Sequence, residues 1–305
     1  MKSTKFFSAL TAATALVAFA GCGAPAAPTT EPPTPAATAP QTSATADPNA
    51  ALQALVPEGI RTAGVLKVAI SLAYPPMEYP VEAGSEELVG VDIELAQEVA
   101  KRLALTIEFD NVDFEQLIPS VTTGRDHLIW TAMSDYIQRQ EKLDFVDYFR
   151  TGDAFFAPAA AKDSIKDLKD LCGKTVTVAT GTNWGKTVQE LSKTICTDGT
   201  EISTLEIETL AEQKVQMKTG RAQVILLGLE GGADLSPNEY YHFGELLSPN
   251  NSGVGVSKEN AGLRDAVQGA LTAMAADGTY QAILDKYNCG DAAVSEFTIN
   301  DGVEG

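Results

Sequence analysis

The chain has 305 residues, 44% of them hydrophobic, which is long and apolar enough for one or two buried cores. Its formal net charge is −19. Such a charge excludes nucleic acid and anionic lipid headgroups as favourable partners, and we interpret it as an acidic, solvated surface.

The first residues have the pattern of an export signal. Two lysines precede an apolar, alanine-rich stretch at residues 6–20, which is too short to be a convincing membrane span. The stretch leads into Cys22 and resembles a bacterial lipobox, although Phe19 stands where leucine is usual. This pattern predicts a signal peptide at residues 1–21 and a mature N-terminus lipid-modified at Cys22. A plain secretory signal with a chance cysteine is the alternative.

Residues 22–55 are expected to form a tether. Up to about Asn49 they are mostly alanine, proline and threonine, with almost no charge and few large apolar side chains. Such a segment cannot bury enough surface to offset the entropy lost on ordering, so we expect it to be disordered and partly extended.

Strands and helices alternate from residue 65 onwards. Apolar runs predict strands at residues 65–70, 105–109, 128–131, 174–179, 207–210 and 224–227. Apolar residues at three- and four-residue steps predict helices after residue 90 and at residues 113–124, 185–193, 211–218, 263–275 and 280–287. This alternation favours parallel sheets, and two sets of units joined near residues 150–158 indicate two lobes.

Three cysteines follow Cys22. Cys172 and Cys196 flank a predicted strand and helix, and in an exported domain we expect them to form a disulfide. Cys289 is then unpaired. The cysteine spacings, in a chain with two histidines, do not favour a metal site.

Residues 131–145 carry the strongest functional signal. An apolar run ends at Thr131, and Ser134 and Asp135, both favourable helix N-cap residues, lead into a polar segment that carries Arg139. A hydroxyl, free backbone N–H groups and a guanidinium at one strand end suit a carboxylate ligand. The alternative is an ordinary turn with a surface arginine.

This stretch, together with residues 90–95 and 144–152, resembles the family 3 extracellular solute-binding proteins, the polar amino-acid receptors of ABC importers. The resemblance runs from about Gly64 to Tyr287 with the motifs in the expected order. It implies an α/β, two-lobed periplasmic-binding-protein-like fold of type II, in which each lobe is a mostly parallel sheet flanked by helices and a hinge joins the lobes. The expected bounds are 60–152 and 252–298 for lobe 1 and 153–251 for lobe 2.

The resemblance also implies roles for individual residues. Arg139 and Ser134 match positions that hold the α-carboxylate of an amino acid, and Thr182 matches a second-lobe donor to the same group. Tyr74 and Phe114 match aromatic walls. The full set expected at the cleft is Tyr74, Phe114, Thr131, Ala132, Ser134, Arg139, Thr182, Asn183, Trp184 and Gly228.

The sequence departs from the family where the α-ammonium should bind. Ala132 matches a position whose backbone assists, but the usual second-lobe aspartate is replaced by Gly228. Glu230, two residues later, is a candidate substitute. Just before the arginine, the family's Thr-Pro-Glu is replaced by Tyr136-Ile137-Gln138, and Trp184 stands where a small polar residue is frequent.

Three interpretations of the ligand remain open. It is an N-substituted or quaternary ammonium acid whose cation contacts Trp184, Tyr74 and Phe114. Or it is an ordinary amino acid, with Glu230 or backbone carbonyls as the substitute partner. Or the site is degraded and the protein is a folded paralogue without a ligand.

We therefore expect a monomeric lipoprotein on the outer face of the cell membrane that delivers a small carboxylate solute to ABC permease subunits, with no cofactor, metal or nucleic-acid partner. The main alternative is an enzyme of this fold, such as a cyclohexadienyl dehydratase, with Glu78 and Glu230 as candidate acids or bases. No Ser/His/Asp or Cys/His set supports catalysis. A ligand sensor without a transport role is the third hypothesis.

Overall fold

The computed structural model describes residues 47–197 and 199–305. The predicted signal peptide, Cys22 and most of the predicted tether lie outside these residues. Within the described part of the chain, no helix is both long and apolar enough to cross a membrane.

Strands and helices alternate along most of the described chain. The strands are β1 Val65–Ile70, β2 Tyr79–Pro80, β3 Leu88–Val89, β4 Thr106–Asn111, β5 Leu128–Ile129, β6 Leu143–Pro158, β7 Thr175–Ala179, β8 Ser203–Ile207, β9 Val224–Gly228 and β10 Tyr240–Ser257. The helices are α1 Ala50–Leu55, α2 Glu58–Ala63, α3 Val91–Arg102, α4 Leu117–Thr122, α5 Ile137–Gln140, α6 Trp184–Ile195, α7 Leu210–Lys218, α8 Ala261–Ala276 and α9 Thr279–Lys286. One mixed sheet has the order β4-β1-β5-β10-β6-β9-β7-β8, and β2 pairs with β3.

The first lobe is built around β1, which pairs in parallel with β4 and β5. Helix α3 buries the apolar stripe that its sequence period predicts, formed by Ile93, Ala96 and Val99. Leu263 of α8 and Leu284 of α9 belong to the same core. The last two helices therefore return to the first lobe, as the family resemblance implies.

The second lobe repeats this arrangement around β7, which pairs in parallel with β8 and β9. Val176 and Val178 of β7 pack with Val188 of α6 in a core that is separate from the core of the first lobe. Each lobe thus buries its own apolar residues, which is the condition for two lobes to move as units.

Two long antiparallel strands, β6 and β10, connect the lobes. Their pairing changes register between Phe243 and Leu247, between Leu247 and Asn250, and between Ser252 and Gly253. Such irregularities interrupt the hydrogen-bond ladder and bend the strands, so they concentrate flexing in this connection. The expected lobe boundaries fall within these two strands.

Three segments differ from the sequence-based expectation. The strand expected at residues 207–210 lies earlier and ends at Ile207, because Thr209 caps helix α7 with its side chain. Helix α1 lies within the expected tether. Residues 299–305, beyond the expected end of lobe 1, contact the segment 135–138.

Cys172 and Cys196 form the predicted disulfide, with their Cα atoms 5.6 Å apart and a sequence separation of 24. The bond joins the segment before β7 to the end of α6 in the second lobe. Cys289 is free and buried.

Loss of this disulfide should destabilise the protein. Closing a loop of this length restricts the unfolded chain, which corresponds to roughly 3 kcal/mol in the chain-entropy model. We expect Cys172→Ser/Cys196→Ser to lose about that much free energy of unfolding in urea titrations. The native chain in dithiothreitol is the matched control and should lose the same amount. Equal stability of the oxidised and reduced chains would contradict this.

Candidate functional site

A cavity of about 90 Å³ lies between the two lobes, beyond the carboxyl ends of β1, β5, β7 and β9. This is where open α/β sheets bind ligands. Glu78 and Glu230, the two candidate acids, line it. All ten residues expected at the cleft also line it: Tyr74, Phe114, Thr131, Ala132, Ser134, Arg139, Thr182, Asn183, Trp184 and Gly228. Their roles towards a ligand stay predictions.

Arg139 is the only basic side chain among the described residues that line the cavity. Its guanidinium lies 5.0 Å from the ring centre of Tyr136 and 5.5 Å from that of Phe114. Its Nη1 donates to the carbonyl of Ser134 at 2.8 Å. Within residues 47–197 and 199–305 it forms no ion pair, so donors of the guanidinium remain for an anion.

The turn that precedes Arg139 is held by buried polar contacts. The N–H of Ala132 donates to Oδ2 of Asp92 at 2.6 Å, and the hydroxyl of Tyr148 donates to Oδ1 of Asp92 at 2.5 Å. Ala132 has φ = 46°, a left-handed conformation that alanine seldom adopts. The surrounding contacts therefore impose this backbone, and they fix where the chain leaves β5.

Three buried carboxyl groups, those of Glu78, Asp153 and Glu230, line the same cavity. Thr131 donates to Oε1 of Glu78, and Nε1 of Trp184 donates to Oδ1 of Asp153, both at 2.7 Å. Glu78 Oε2 and Asp153 Oδ2 are buried with no hydrogen-bond partner within the described chain. No group of side chains arranged for a metal ion occurs within those residues. The arrangement suits an organic cation with N–H donors.

Burial raises the pKa of all three carboxyl groups. The pKa of Asp153 rises to about 7. The pKa of Glu78 is raised well above its usual range by burial and by the charge of Asp92, and burial raises the pKa of Glu230. Because a nearby positive charge favours the ionised form, a cationic ligand would draw protons off these groups.

Glu230 fills the space that a side chain at position 228 would need. A Cβ on Gly228 would collide with the Glu230 carboxylate. The hydroxyl of Tyr74 donates to Glu230 Oε1 at 2.9 Å and accepts the N–H of Gly228 at 3.1 Å, while the Thr151 hydroxyl donates to the other carboxylate oxygen. Position 228 has no acidic side chain, but the carboxylate of Glu230, in the turn that follows, lies beside the end of β9.

The hydroxyl of Thr182 is engaged within its own turn. It donates to the carbonyl of Ala179 at 2.8 Å and accepts the N–H of Trp184 at 3.3 Å. Its hydrogen is therefore used within the turn after β7 in this conformation, and the role of Thr182 as a donor to the ligand stays a prediction.

Sequence reasoning missed Asp153. It lies opposite Gly228 in the pairing of β6 with β9, and that register brings it to the cavity. Its position directly before the apolar run Ala154-Phe155-Phe156 could have indicated a functional role. A charge in a buried strand costs free energy unless it has a partner.

Comparison with known proteins agrees with the fold and with the sequence resemblance. The chain is 27% identical over 232 residues to the L-cystine-binding protein TcyJ of Escherichia coli K12, covering 75% of this chain and 84% of that protein. It is 28% identical over 250 residues to ABC transporter arginine-binding protein 1 of the same strain, covering 78% and 96%. A solved ancestral arginine-binding protein bound to arginine is 30% identical, with a TM-score of 0.65 and coverage of 73% and 98%.

These relatives are, by name, amino-acid-binding proteins. The pattern of the bacterial extracellular solute-binding proteins, family 3, matches residues 66–290. That range includes every residue that lines the cavity and most of both lobes, so the chain belongs to the bacterial extracellular solute-binding proteins, family 3.

Proposed function

We propose that this protein is the lipid-anchored substrate-binding subunit of an ABC importer and that it binds an amino acid, or an N-substituted amino-acid derivative, between its lobes. The observation that carries the proposal is the guanidinium of Arg139, which lies in the interlobe cavity without an ion-pair partner within the described chain. A half-buried guanidinium of this kind gains most from a carboxylate ligand, which accepts two parallel N–H bonds.

The opposite end of the ligand would face the carboxyl groups. Glu230 stands beside the second-lobe strand end, and Glu78 and Asp153 each have an oxygen without a partner in the described chain. Together they favour a positively charged nitrogen. Trp184 and Tyr74 line the cavity, but the polar atoms of both already bind Asp153 and Glu230. The carboxyl groups are therefore the primary partners of the cation, and the rings pack beside it.

Export and anchoring complete the proposal. Residues 1–21 are the signal peptide, Cys22 carries the lipid, and the alanine-, proline- and threonine-rich residues after it are the tether to the outer face of the cell membrane. The two lobes close on the solute, and the closed monomer docks on the permease subunits. The relatives' named ligands, arginine and cystine, are the first solutes to test here.

The raised pKa values of Glu78 and Glu230 favour a second candidate, an enzyme that uses one of them as a general acid. Both acids are also explained by the binding of a cationic nitrogen. Turnover of prephenate or arogenate separates the two functions, and catalysis there would replace the receptor proposal.

Arg139→Ala should abolish most of the binding affinity. We first screen L-arginine, L-histidine, L-cystine, N-methylated amino acids and betaines by thermal shift, since a ligand that binds the native state raises Tm. For the tightest ligand, loss of the charged hydrogen bonds should weaken Kd by about 10- to 150-fold in calorimetry. Arg221→Ala, at an exposed arginine outside the cavity, is the control. Unchanged affinity in Arg139→Ala, or no ligand in the panel, would refute the proposal.

Glu230→Ala should weaken the binding of α-amino acids by about 10-fold or more, because a buried ammonium loses a charged acceptor. The same change removes the carboxylate that blocks position 228, where the backbone has φ = −60° and accepts any residue. We therefore expect Gly228→Asp to restore binding in the Glu230→Ala background and to weaken it in the native background. If Gly228→Asp does not restore binding in the Glu230→Ala background, the second-lobe anion has another role.

Affinity for a ligand with an ammonium group should rise with pH through about 7. Asp153 has its raised pKa there, so it is neutral below this pH and attracts the cation only above it. In Asp153→Asn the amide keeps an oxygen for Trp184 but cannot ionise, so the slope of log Kd against pH should flatten between about pH 6 and 8. A slope equal to that of the native protein would exclude Asp153 as the titrating group.

A further inference from the structure

The segment 298–305, here called the strap, forms a structured connection across the first lobe. It lies beyond the range that the family pattern matches, which ends at residue 290. Ile299 pairs with Val146 of β6, and Val303 pairs with Tyr136 just before α5. The strap thus runs from a central strand to the short helix that carries Arg139.

The strap binds the segment before Arg139 through backbone and side-chain hydrogen bonds. The N–H of Ile137 donates to the carbonyl of Val303 at 3.0 Å, and the N–H of Val303 donates to the carbonyl of Asp135 at 3.2 Å. Nε2 of Gln138 donates to Oε2 of Glu304 at 2.8 Å. These bonds fix the first turn of α5 from outside the cavity.

Two of these hydrogen bonds, those of Ile137 and Gln138, depend on residues that depart from the Thr-Pro-Glu of the resembled family. A proline in place of Ile137 has no N–H to donate to the strap. A glutamate in place of Gln138 has no side-chain N–H and would repel Glu304. The ring of Tyr136 packs so closely on Gly305 that a Cβ at that glycine would collide with it. The three departures together form one docking surface for the strap.

The docking surface leads directly to the cavity. Tyr136 is 3% exposed, and its ring contacts the guanidinium of Arg139, which in turn lies over Phe114. A movement of the Tyr136 ring would therefore change the direction of the guanidinium.

We propose that the strap positions Arg139 for the ligand carboxylate by holding Tyr136 and the first turn of α5. The inference rests on the proposed function of Arg139. The strap residues are positioning residues, since they reach the ligand only through Tyr136 and Arg139.

Ile137→Pro tests this in the full chain. Residue 137 is the first residue of α5, where proline is well tolerated, and Tyr136 before it has φ = −102° and ψ = 140°, which suits a residue preceding proline. The variant removes the N–H that binds Val303. Ile137→Val keeps this N–H and is the matched control, because the Ile137 side chain is 44% exposed.

The first readout needs no ligand. In protein labelled with ¹⁵N-arginine, the Nε–H signal of Arg139 is assigned by its loss in Arg139→Ala, and its shift reports the two neighbouring rings. We expect Ile137→Pro to speed hydrogen exchange at the Val303 amide and to move the Arg139 signal.

The second readout is calorimetry with L-arginine, where we expect about three- to tenfold weaker binding, as for the loss of one hydrogen bond. Ile137→Val should match the native protein in both readouts.

A charge rescue provides a second test. Gln138→Glu places two carboxylates together and should release the strap, with the same effect on the Arg139 signal and on L-arginine affinity. Adding Glu304→Gln restores a donor and an acceptor at this contact and should return both readouts to within about twofold of the native values.

The outcomes separate the two proposals. A released strap with an unchanged Arg139 signal overturns the positioning role, as does an equal effect of Ile137→Pro and Ile137→Val. An Arg139 signal that moves in Ile137→Pro and Gln138→Glu and returns in the rescue supports the positioning role, even where L-arginine binds neither variant nor native protein. In that last case the result excludes L-arginine as the ligand and leaves the positioning role of the strap supported.

Discussion

The organisation of this protein depends on one largely desolvated guanidinium that forms no ion pair within the part of the chain that the structure describes. Removing a charge from water costs free energy, and here two aromatic rings and one carbonyl offset part of that cost for Arg139. Burial also lowers the pKa of this group. An anion that enters the cavity, as the proposed function requires, would compensate further. The buried Asp92 and the left-handed backbone of Ala132 keep the turn in place for this contact.

The cavity combines one basic side chain with several acidic side chains. One cation stands on the first lobe, and carboxyl groups from three different elements face the same space. Position 228 illustrates how a charge can move in sequence while staying near the same place in the fold. The residue itself is glycine, and the carboxylate of Glu230 turns back into the space left by the missing side chain. Tyr74 then joins this acid to the first lobe.

The alternating strands and helices could be predicted from local patterns, whereas the return of the last two helices and most of the expected cavity residues came from the family resemblance. Apolar periodicity indicates the alternating elements, and parallel strands bring their carboxyl ends together, which places Tyr74 and Arg139 at one cavity. What escaped prediction depends on contacts distant in sequence. Asp153 reaches the cavity through the register of β6 with β9, and Val303 meets Tyr136 across more than half of the chain. No periodic pattern in the sequence predicts either contact. Residue propensities likewise do not predict that Glu230 turns back over Gly228.

The connection between the lobes has a consequence for affinity that does not involve the pocket. Strands β6 and β10 carry three changes of register where the chain passes from one lobe to the other. If the lobes open and close about this connection, these irregular peptide groups contribute to the energy difference between the open and the closed arrangement. Apparent affinity is the intrinsic affinity multiplied by the population of the competent conformer. A substitution that changes the irregularity between Leu247 and Asn250 would therefore change the apparent affinity while every contact to a ligand in the cavity stays the same.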